Sequence, residues 1–273
     1  MEMKRVLTIA HRGARSLAPE NTLAAARAAL EVGADMWETD VGVTRDEVLI
    51  LTHDDSLTGT TDARSVFPDR APWIFTRFDY AEIRKLDAGS WFVRTDPFGQ
   101  LGNGSVPAEQ SDSYRGEKIP SLEEALLFTR DAGWRINIEL KQLPPPMEKF
   151  PVIDRVLALI GRLGLGPEHF ILSSFNLDWL KQIRRSRPDI ELQAVVGFSK
   201  VAPIQWEPLE FDTYNARHTL VKEATIRTLS EKGVAVNVWA VNEESDMRRF
   251  ISAGVAGIIT DFPQRLIRIS KEK

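Results

Sequence analysis

Two histidines of this chain lie where short apolar runs end. Residues 6–10 form an apolar run that predicts a buried strand, and His11 and Arg12 follow it directly. Residues 48–52 form a second such run, which is followed by His53. Histidine is the side chain best suited to move a proton near neutral pH, and arginine carries a fixed positive charge. The pattern therefore predicts a general acid and a general base with a cation beside one of them.

Three carboxylates occur on two further predicted strands. Glu38 and Asp40 are two residues apart, so a strand's period of two places both side chains on one face. Glu139 and Lys141 share a face of another strand by the same rule. The simplest role for these acids is to pair with Lys141 and Arg12, but three acids at one site repel each other unless a cation neutralises them. Oxygen ligands favour Mg²⁺ or Ca²⁺ over Zn²⁺, and the residues leave the choice between these two open.

Strand-like runs alternate with amphipathic helical stretches along most of the chain. This alternation indicates βα units around a parallel sheet, and 273 residues suit one eight-stranded α/β barrel, which typically needs ~250. Nine strands are predicted for eight places, so 36–43 and 47–53 are either one bent strand or a strand with an extension. The predicted strands lie near 5–11, 36–43, 47–53, 135–141, 170–175, 191–197, 211–216, 235–241 and 257–261. The predicted helices span 21–32, 121–132, 152–163, 177–187, 222–232 and 243–253, and a long segment at 59–117 has little pattern beyond a short helix near 79–86.

Composition excludes several classes of function. The net charge of −4 gives no basic excess, so we expect no nucleic acid partner. The chain has no cysteine, which excludes disulfides, thiolate ligands and a cysteine nucleophile. No run approaches the ~20 apolar residues that span a bilayer, so we expect no membrane insertion. The N-terminal sequence has no apolar region of a secretory signal, and a cytoplasmic location is expected.

The motifs taken together resemble those of the glycerophosphodiester phosphodiesterases, in the same order and over nearly the whole chain. The resemblance implies a TIM-type (β/α)8 barrel formed by a single domain over 1–273, with an insertion at about 59–117 over the barrel mouth. It also implies hydrolysis of glycerophosphodiesters to glycerol 3-phosphate and an alcohol. The matching segments are residues 11–13, 19–22, 38–40, 53–54, 86–92, 118–124, 139–141 and 257–263.

The resemblance also implies a mechanism. One divalent cation, Mg²⁺ or Ca²⁺, would be held by Glu38, Asp40 and Glu139. His11 and His53 would be the catalytic acid and base, with His11 favoured as the base. In the resembled family the glycerol hydroxyl next to the phosphate attacks first, and water then opens the cyclic phosphate. A small-molecule glycerophosphodiester is therefore the expected partner.

Four residues are assigned to substrate binding. Arg12 and Lys141 would suit the phosphate, since a guanidinium binds two oxygens and an ammonium adds a point charge. Glu20 would act indirectly, by orienting Arg12 or by capping the helix that begins near residue 21. Trp239 faces the same way as Asn237 on one predicted strand, and both are expected to line the pocket or fill the barrel.

Two other functions remain open, and two further expectations concern the segment at 93–117 and the other two histidines. The chain could be a phospholipase-D-like relative that acts on lysophospholipids, although such secreted enzymes are expected to carry a disulfide. It could also be a non-catalytic barrel that binds a phosphodiester. The leaving alcohol is expected to face residues 93–117, and His169 and His218 are expected to be surface or structural residues.

Overall fold

The computed structural model describes residues 5–272, in which eight parallel strands close into a barrel with helices on the outside. The ring follows the order β1, β9, β8, β7, β6, β5, β4, β2, and β2 pairs with β1 to close it. The predicted TIM-type barrel is therefore confirmed. The strands are β1 (Leu7–Ala10), β2 (Met36–Val43), β3 (Leu49–Leu51), β4 (Ile136–Leu140), β5 (Phe170–Ser174), β6 (Leu192–Val196), β7 (Thr213–Arg217), β8 (Ala235–Trp239) and β9 (Gly257–Thr260).

The ninth strand, β3, is an extension of the barrel. It pairs antiparallel with the end of β2, with Val41 opposite Leu51. A strand that runs against its neighbour has no place in a ring of parallel strands, so the alternative of one long bent strand over 36–53 is wrong. The hairpin returns the chain to the C-terminal end of β2, and His53 follows there.

All six predicted helices are present, each within about two residues of its predicted ends. The first begins after Thr22, whose hydroxyl accepts a hydrogen bond from the Ala25 amide. Ser121 and Glu124 form the reciprocal capping box at another. The helices are α1 (Leu23–Glu31), α2 (Ala63–Val66), α3 (Tyr80–Ile83), α4 (Ser90–Thr95), α5 (Ala108–Ser113), α6 (Leu122–Asp131), α7 (Val152–Arg162), α8 (Leu177–Ser186), α9 (Glu223–Glu231), α10 (Glu244–Ala253) and α11 (Pro263–Lys271).

Helix α11 and most of the short helices between β3 and α6 were not predicted from the sequence. Helix α11 starts at Pro263, a residue that suits the first helical position because its missing N–H needs no partner there. The segment at 59–117 contains α2 to α5 and a 3₁₀ turn at Phe75–Arg77. Its Phe98 packs on Phe262 after β9, and Arg15 after β1 lies over the Phe98 ring. The segment thus contacts loops at the C-terminal face, while its status as an insertion in one domain over 1–273 stays a prediction.

The buried apolar residues form two clusters. The smaller cluster lies inside the barrel and includes Ile9, Met36 and Ile171. The much larger apolar core lies between the strands and the surrounding helices.

No helix in residues 5–272 is both long enough and apolar enough to cross a bilayer. The cytoplasmic location stays a prediction.

Candidate active site

A cavity of about 280 Å³ opens at the C-terminal ends of the barrel strands. Its wall includes residues that follow or end different strands, which is where parallel barrels carry their chemistry. Seven of the nine residues predicted for the site line this cavity, and the other two, Glu20 and Lys141, contact members of that set. The seven are His11, Arg12, Glu38, Asp40, His53, Glu139 and Trp239.

His11 is held by a carboxylate from the other end of the chain. Its Nδ1 lies 2.6 Å from Oδ1 of Asp261, and Asn242 donates to the other oxygen of that carboxylate at 2.7 Å. Burial, together with the nearby charge of Arg12, lowers the pKa of His11 below its ordinary value. Burial works to raise the pKa of Asp261, but the charge and hydrogen bond of His11 and the charge of Arg15 outweigh it and lower that pKa. The ionised carboxylate keeps the His11 proton on Nδ1, so Nε2 has the free lone pair.

The turn after β1 is strained and is held in place by hydrogen bonds. Arg12 has a φ of 54°, which a residue with a side chain rarely adopts. Its backbone N–H donates to a Glu38 oxygen at 3.0 Å, and its guanidinium donates to Glu20 at 2.7 Å. Glu20 also pairs with Arg15 at 2.5 Å. Glu20 therefore contacts Arg12 as predicted, whereas the alternative that it caps the helix is wrong because Thr22 is the cap.

The three predicted acids form one cluster. Glu38, Asp40 and Glu139 each offer an oxygen, and these atoms lie within 4.8 Å of one another. Burial first, and then the charges of Asp40 and Glu139, raise the pKa of Glu38 well above its ordinary value. Burial and the charge of Asp40 raise the pKa of Glu139 to about 8. The cluster therefore carries more negative charge than its surroundings neutralise.

The two nearby cations both face Asp40. Lys141 Nζ lies 3.4 Å from one Asp40 oxygen, and Arg12 Nε lies 3.4 Å from the other. Burial alone would raise the pKa of Asp40, but these two charges hold it well below its usual range. Lys141 also donates to the His53 carbonyl at 2.9 Å. Lys141 thus joins the acidic cluster to the loop that presents the second histidine.

His53 lies at the rim of the cavity. Its Nδ1 is 2.7 Å from Oδ1 of Asp54, and 36% of its side chain is exposed. The hydrogen bond with His53 lowers the pKa of Asp54, so Asp54 is an ionised acceptor for that nitrogen. Both histidines thus have a carboxylate on Nδ1, but one pair is buried and the other is open to solvent.

The far wall of the cavity comes from β7 and β8. Trp239 lines the cavity and donates from its indole nitrogen to the Asn215 carbonyl at 3.0 Å. Asn237 does not line the cavity, because its amide is buried in the barrel and donates to Asn215 at 2.9 Å. Arg217 and His218 do line it, so His218 belongs to the cavity wall and is not merely a surface residue. Both stand at the C-terminal end of the predicted strand 211–216, the same signal that pointed to His11 and His53.

The cavity wall contains no residue from 93–117 within the described part of the chain. The expectation that the leaving alcohol faces this segment gains no support from the cavity wall and stays a prediction. Its Phe98 packs beside the loops after β1 and β9, and the wall opposite the acidic cluster comes from β5 to β8.

A barrel with two carboxylate-paired histidines and a cluster of three acids at its mouth has the architecture of a barrel enzyme. The chain matches the glycerophosphoryl diester phosphodiesterase family over residues 11–265 and belongs to it. It is 31% identical to a glycerophosphodiester phosphodiesterase of Caldanaerobacter subterraneus over 98% of this chain and 99% of that protein. It is 29% identical to one of Bacillus subtilis over 98% of this chain and 87% of that protein.

Solved structures agree with this assignment. A putative glycerophosphoryl diester phosphodiesterase from Silicibacter pomeroyi superposes with a TM-score of 0.82 at 27% identity, over 98% of this chain and 93% of that one. A phosphodiesterase from Oleispira antarctica, solved in complex with the product sn-glycerol-3-phosphate, superposes with a TM-score of 0.76 at 25% identity. That match covers 98% of this chain and 97% of the other.

Proposed function

We propose that this protein hydrolyses glycerophosphodiesters to glycerol 3-phosphate and an alcohol, with His11 and His53 as the proton-transfer groups. The observation that carries the proposal is the convergence of both histidines and three carboxylates on one cavity. A structural histidine does not need a second histidine and three carboxylates beside it. A general acid and a general base, by contrast, must contact the same substrate. The product that the Oleispira antarctica structure contains is the one expected here.

A divalent cation fits the acidic cluster. Arg12 and Lys141 both face Asp40, so the charges of Glu38 and Glu139 lack comparable partners. The raised pKa values of these two glutamates express the same imbalance. A donor set of carboxylate oxygens suits Mg²⁺ or Ca²⁺. Such an ion would act as a Lewis acid toward the phosphate.

In the first half-reaction, the glycerol hydroxyl next to the phosphate attacks phosphorus. His11 Nε2 accepts the hydroxyl proton, since burial keeps the imidazole neutral and Asp261 fixes the proton on Nδ1. His53 gives a proton to the oxygen of the departing alcohol as its bond to phosphorus breaks. The products of this step are a cyclic glycerol phosphate and the free alcohol.

In the second half-reaction, the two histidines exchange roles. His53 accepts a proton from water, whose oxygen forms the new bond to phosphorus. His11 returns its proton to the glycerol oxygen as the ring opens. Arg12, whose backbone and guanidinium are fixed by Glu38 and Glu20, supplies positive charge beside the phosphate throughout.

Substitution of each histidine tests the assignment. His11→Ala and His53→Ala should each lower kcat by about 10²–10⁴-fold, because each removes a positioned proton-transfer group. His169→Ala, which removes a histidine that does not line the cavity, is the matched control and should retain activity. Near-wild-type turnover of either site variant, with an unchanged circular dichroism spectrum, would contradict the assignment. Substrate binding with no turnover by the wild-type protein would instead favour the non-catalytic phosphodiester-binding barrel.

A further inference from the structure

Arg217 is a cation on the cavity wall with no acidic partner in residues 5–272. It ends β7 and is half-buried, and its guanidinium forms no salt bridge with any described carboxylate. Arg12, by contrast, pairs with Glu20 and Asp40. Because charges removed from water are normally paired, an unpaired guanidinium at a cavity points to a ligand of opposite charge.

The guanidinium is fixed in place by contacts that leave part of it free. Its Nε donates to the Gly197 carbonyl at 2.6 Å and one Nη2 hydrogen points to the Phe198 carbonyl at 3.4 Å. Its central carbon lies 4.3 Å from the centre of the Trp239 ring. Gly197 permits this approach, because a Cβ there would lie 2.7 Å from the Arg217 Cβ. Both hydrogens of Nη1 remain available to a ligand, and so does one of Nη2.

Arg217 lies across the barrel from the acidic cluster. In the ring of eight strands, β7 is four strands from β2 in either direction, so it is opposite Glu38 and Asp40. All described carboxylates that line the cavity belong to the acidic cluster. The wall near Arg217 consists instead of neutral and aromatic side chains and His218. The proposed mechanism puts the glycerol hydroxyl at buried His11 and the departing alcohol at His53 on the rim of the cavity. We therefore place the rest of the alcohol against the wall of Arg217, whose guanidinium contacts the carbonyls of Gly197 and the exposed Phe198.

We propose that Arg217 forms a subsite for the leaving alcohol that favours an alcohol with an anionic substituent, such as a phosphate, over one with an ammonium group. The proposal rests on the proposed function. A guanidinium binds phosphate or carboxylate through paired hydrogen bonds. An ammonium-bearing alcohol meets a like charge there with no carboxylate to balance it. One face of the Trp239 ring, which could attract a quaternary ammonium, is already covered by Arg217.

The test compares kcat/KM for three substrates that differ in the charge of the alcohol. They are glycerophosphoinositol phosphate, glycerophosphoinositol and glycerophosphocholine, assayed with the wild-type protein in the presence of Mg²⁺ or Ca²⁺. The proposal predicts the highest kcat/KM for the phosphorylated inositol and the lowest for choline. Equal values for the two inositol substrates, or a preference for choline, would overturn it. Hydrolysis of none of the three would overturn the proposed function itself.

Two variants assign the preference to this side chain. Arg217→Gln should lower kcat/KM for the phosphorylated inositol by about 10–100-fold and change the unphosphorylated one less than threefold, since one charge-assisted contact is lost. Arg217→Lys, which keeps the charge, should retain part of the preference, and Arg185→Gln on the exposed side of α8 should match the wild type. An equal loss on all three substrates would place Arg217 on the scissile phosphate and refute the subsite. If Arg217→Gln does not fold, the order of kcat/KM values for the wild-type protein and for Arg217→Lys still tests the proposal.

Discussion

The proposed base, His11, takes its properties from residues far away in sequence. Asp261, 250 positions later, accepts the hydrogen bond from its Nδ1. Asn242 holds the other oxygen of that carboxylate through its Nδ2, and its own Oδ1 accepts from the Asp261 backbone N–H at 3.0 Å. Asp261 is thus fixed on two sides. The arrangement keeps one imidazole tautomer, which is the requirement for a base that acts through Nε2.

Asp261→Asn should separate this positioning role from a structural one. The amide can present an N–H to His11 and favour the wrong tautomer, so kcat should fall by about 10²–10⁴-fold. The loss of a negative charge that raises the His11 pKa should also lower that pKa. Activity that needs neutral His11 disappears as pH falls through this pKa, so the acid limb of kcat/KM should move to lower pH. Asp212→Asn, at an exposed carboxylate, is the control, and an unchanged kcat with an unmoved acid limb would contradict the role.

The carboxylate cluster was predictable because its members follow a local rule. The period of two in a strand put Glu38 beside Asp40, and Glu139 carried the same signal on β4. Asp261 was not predicted as a site residue, because its contact with His11 depends on which strands become neighbours, and spacing along one element does not encode that. Arg217 and His218 follow the predicted strand 211–216 and carried the same signal as His11 and His53, but they were not assigned to the site.

Among the elements, the turn from β1 into α1 controls the site most directly. Gly13 has a φ of 79°, and a Cβ on it would lie 2.6 Å from the backbone of Ala25 in α1. The turn and the helix therefore pack without room for a side chain, directly after Arg12. This close contact between Gly13 and Ala25 fixes the position at which the chain leaves β1 and presents His11 and Arg12 to the cavity.

Gly13→Ala should destabilise the protein and lower its activity together. The new methyl group collides with backbone atoms, which cannot move aside as a flexible side chain would. Gly33→Ala is the matched control, because Gly33 has a φ of 85° but no atom within 4 Å of the added Cβ. Gly33→Ala should cost only the backbone strain, about 1–2 kcal/mol, and Gly13→Ala should cost more in the free energy of unfolding. Equal losses in urea unfolding would show that the close approach is unimportant.

The elements themselves were mostly readable from sequence. Helical periodicity and capping residues gave the six long helices, and alternation with apolar strands gave the barrel. The segment at 59–117 was not readable, because its helices have only four to six residues each and carry little periodicity. Helix α11 was not predicted. Its first residue, Pro263, is also the last residue of the family motif at 257–263.

On the scale of the whole molecule, the barrel concentrates like charge at one place. The adjacent strands β2 and β4 supply all three acids, and Glu38 and Glu139 have raised pKa values there. A ligand that binds only the folded state stabilises it by mass action. Cation binding at the cluster should therefore be visible in the stability of the whole protein as well as in activity.

Thermal melting with and without Mg²⁺ or Ca²⁺ tests this link. Cation at 100 times its Kd should stabilise the wild-type protein by about 2.7 kcal/mol, and Glu38→Gln should lose most of the shift. In chelator, Glu38→Gln should be at least as stable as the wild type, because it relieves carboxylate repulsion. Glu109→Gln, at an exposed position in α5, should behave as the wild type. An equal cation shift in Glu38→Gln and the wild type would place the cation elsewhere.

The most direct measurement of the central claim is the identity of the phosphorus-containing product, followed by ³¹P nuclear magnetic resonance with glycerophosphoinositol as substrate. We predict that glycerol 3-phosphate forms with Mg²⁺ or Ca²⁺ present, that chelation stops its formation, and that added cation restores it. Inositol phosphate as the product would show that the other ester bond breaks. Formation of glycerol 3-phosphate at an unchanged rate after exhaustive chelation would contradict the cation site.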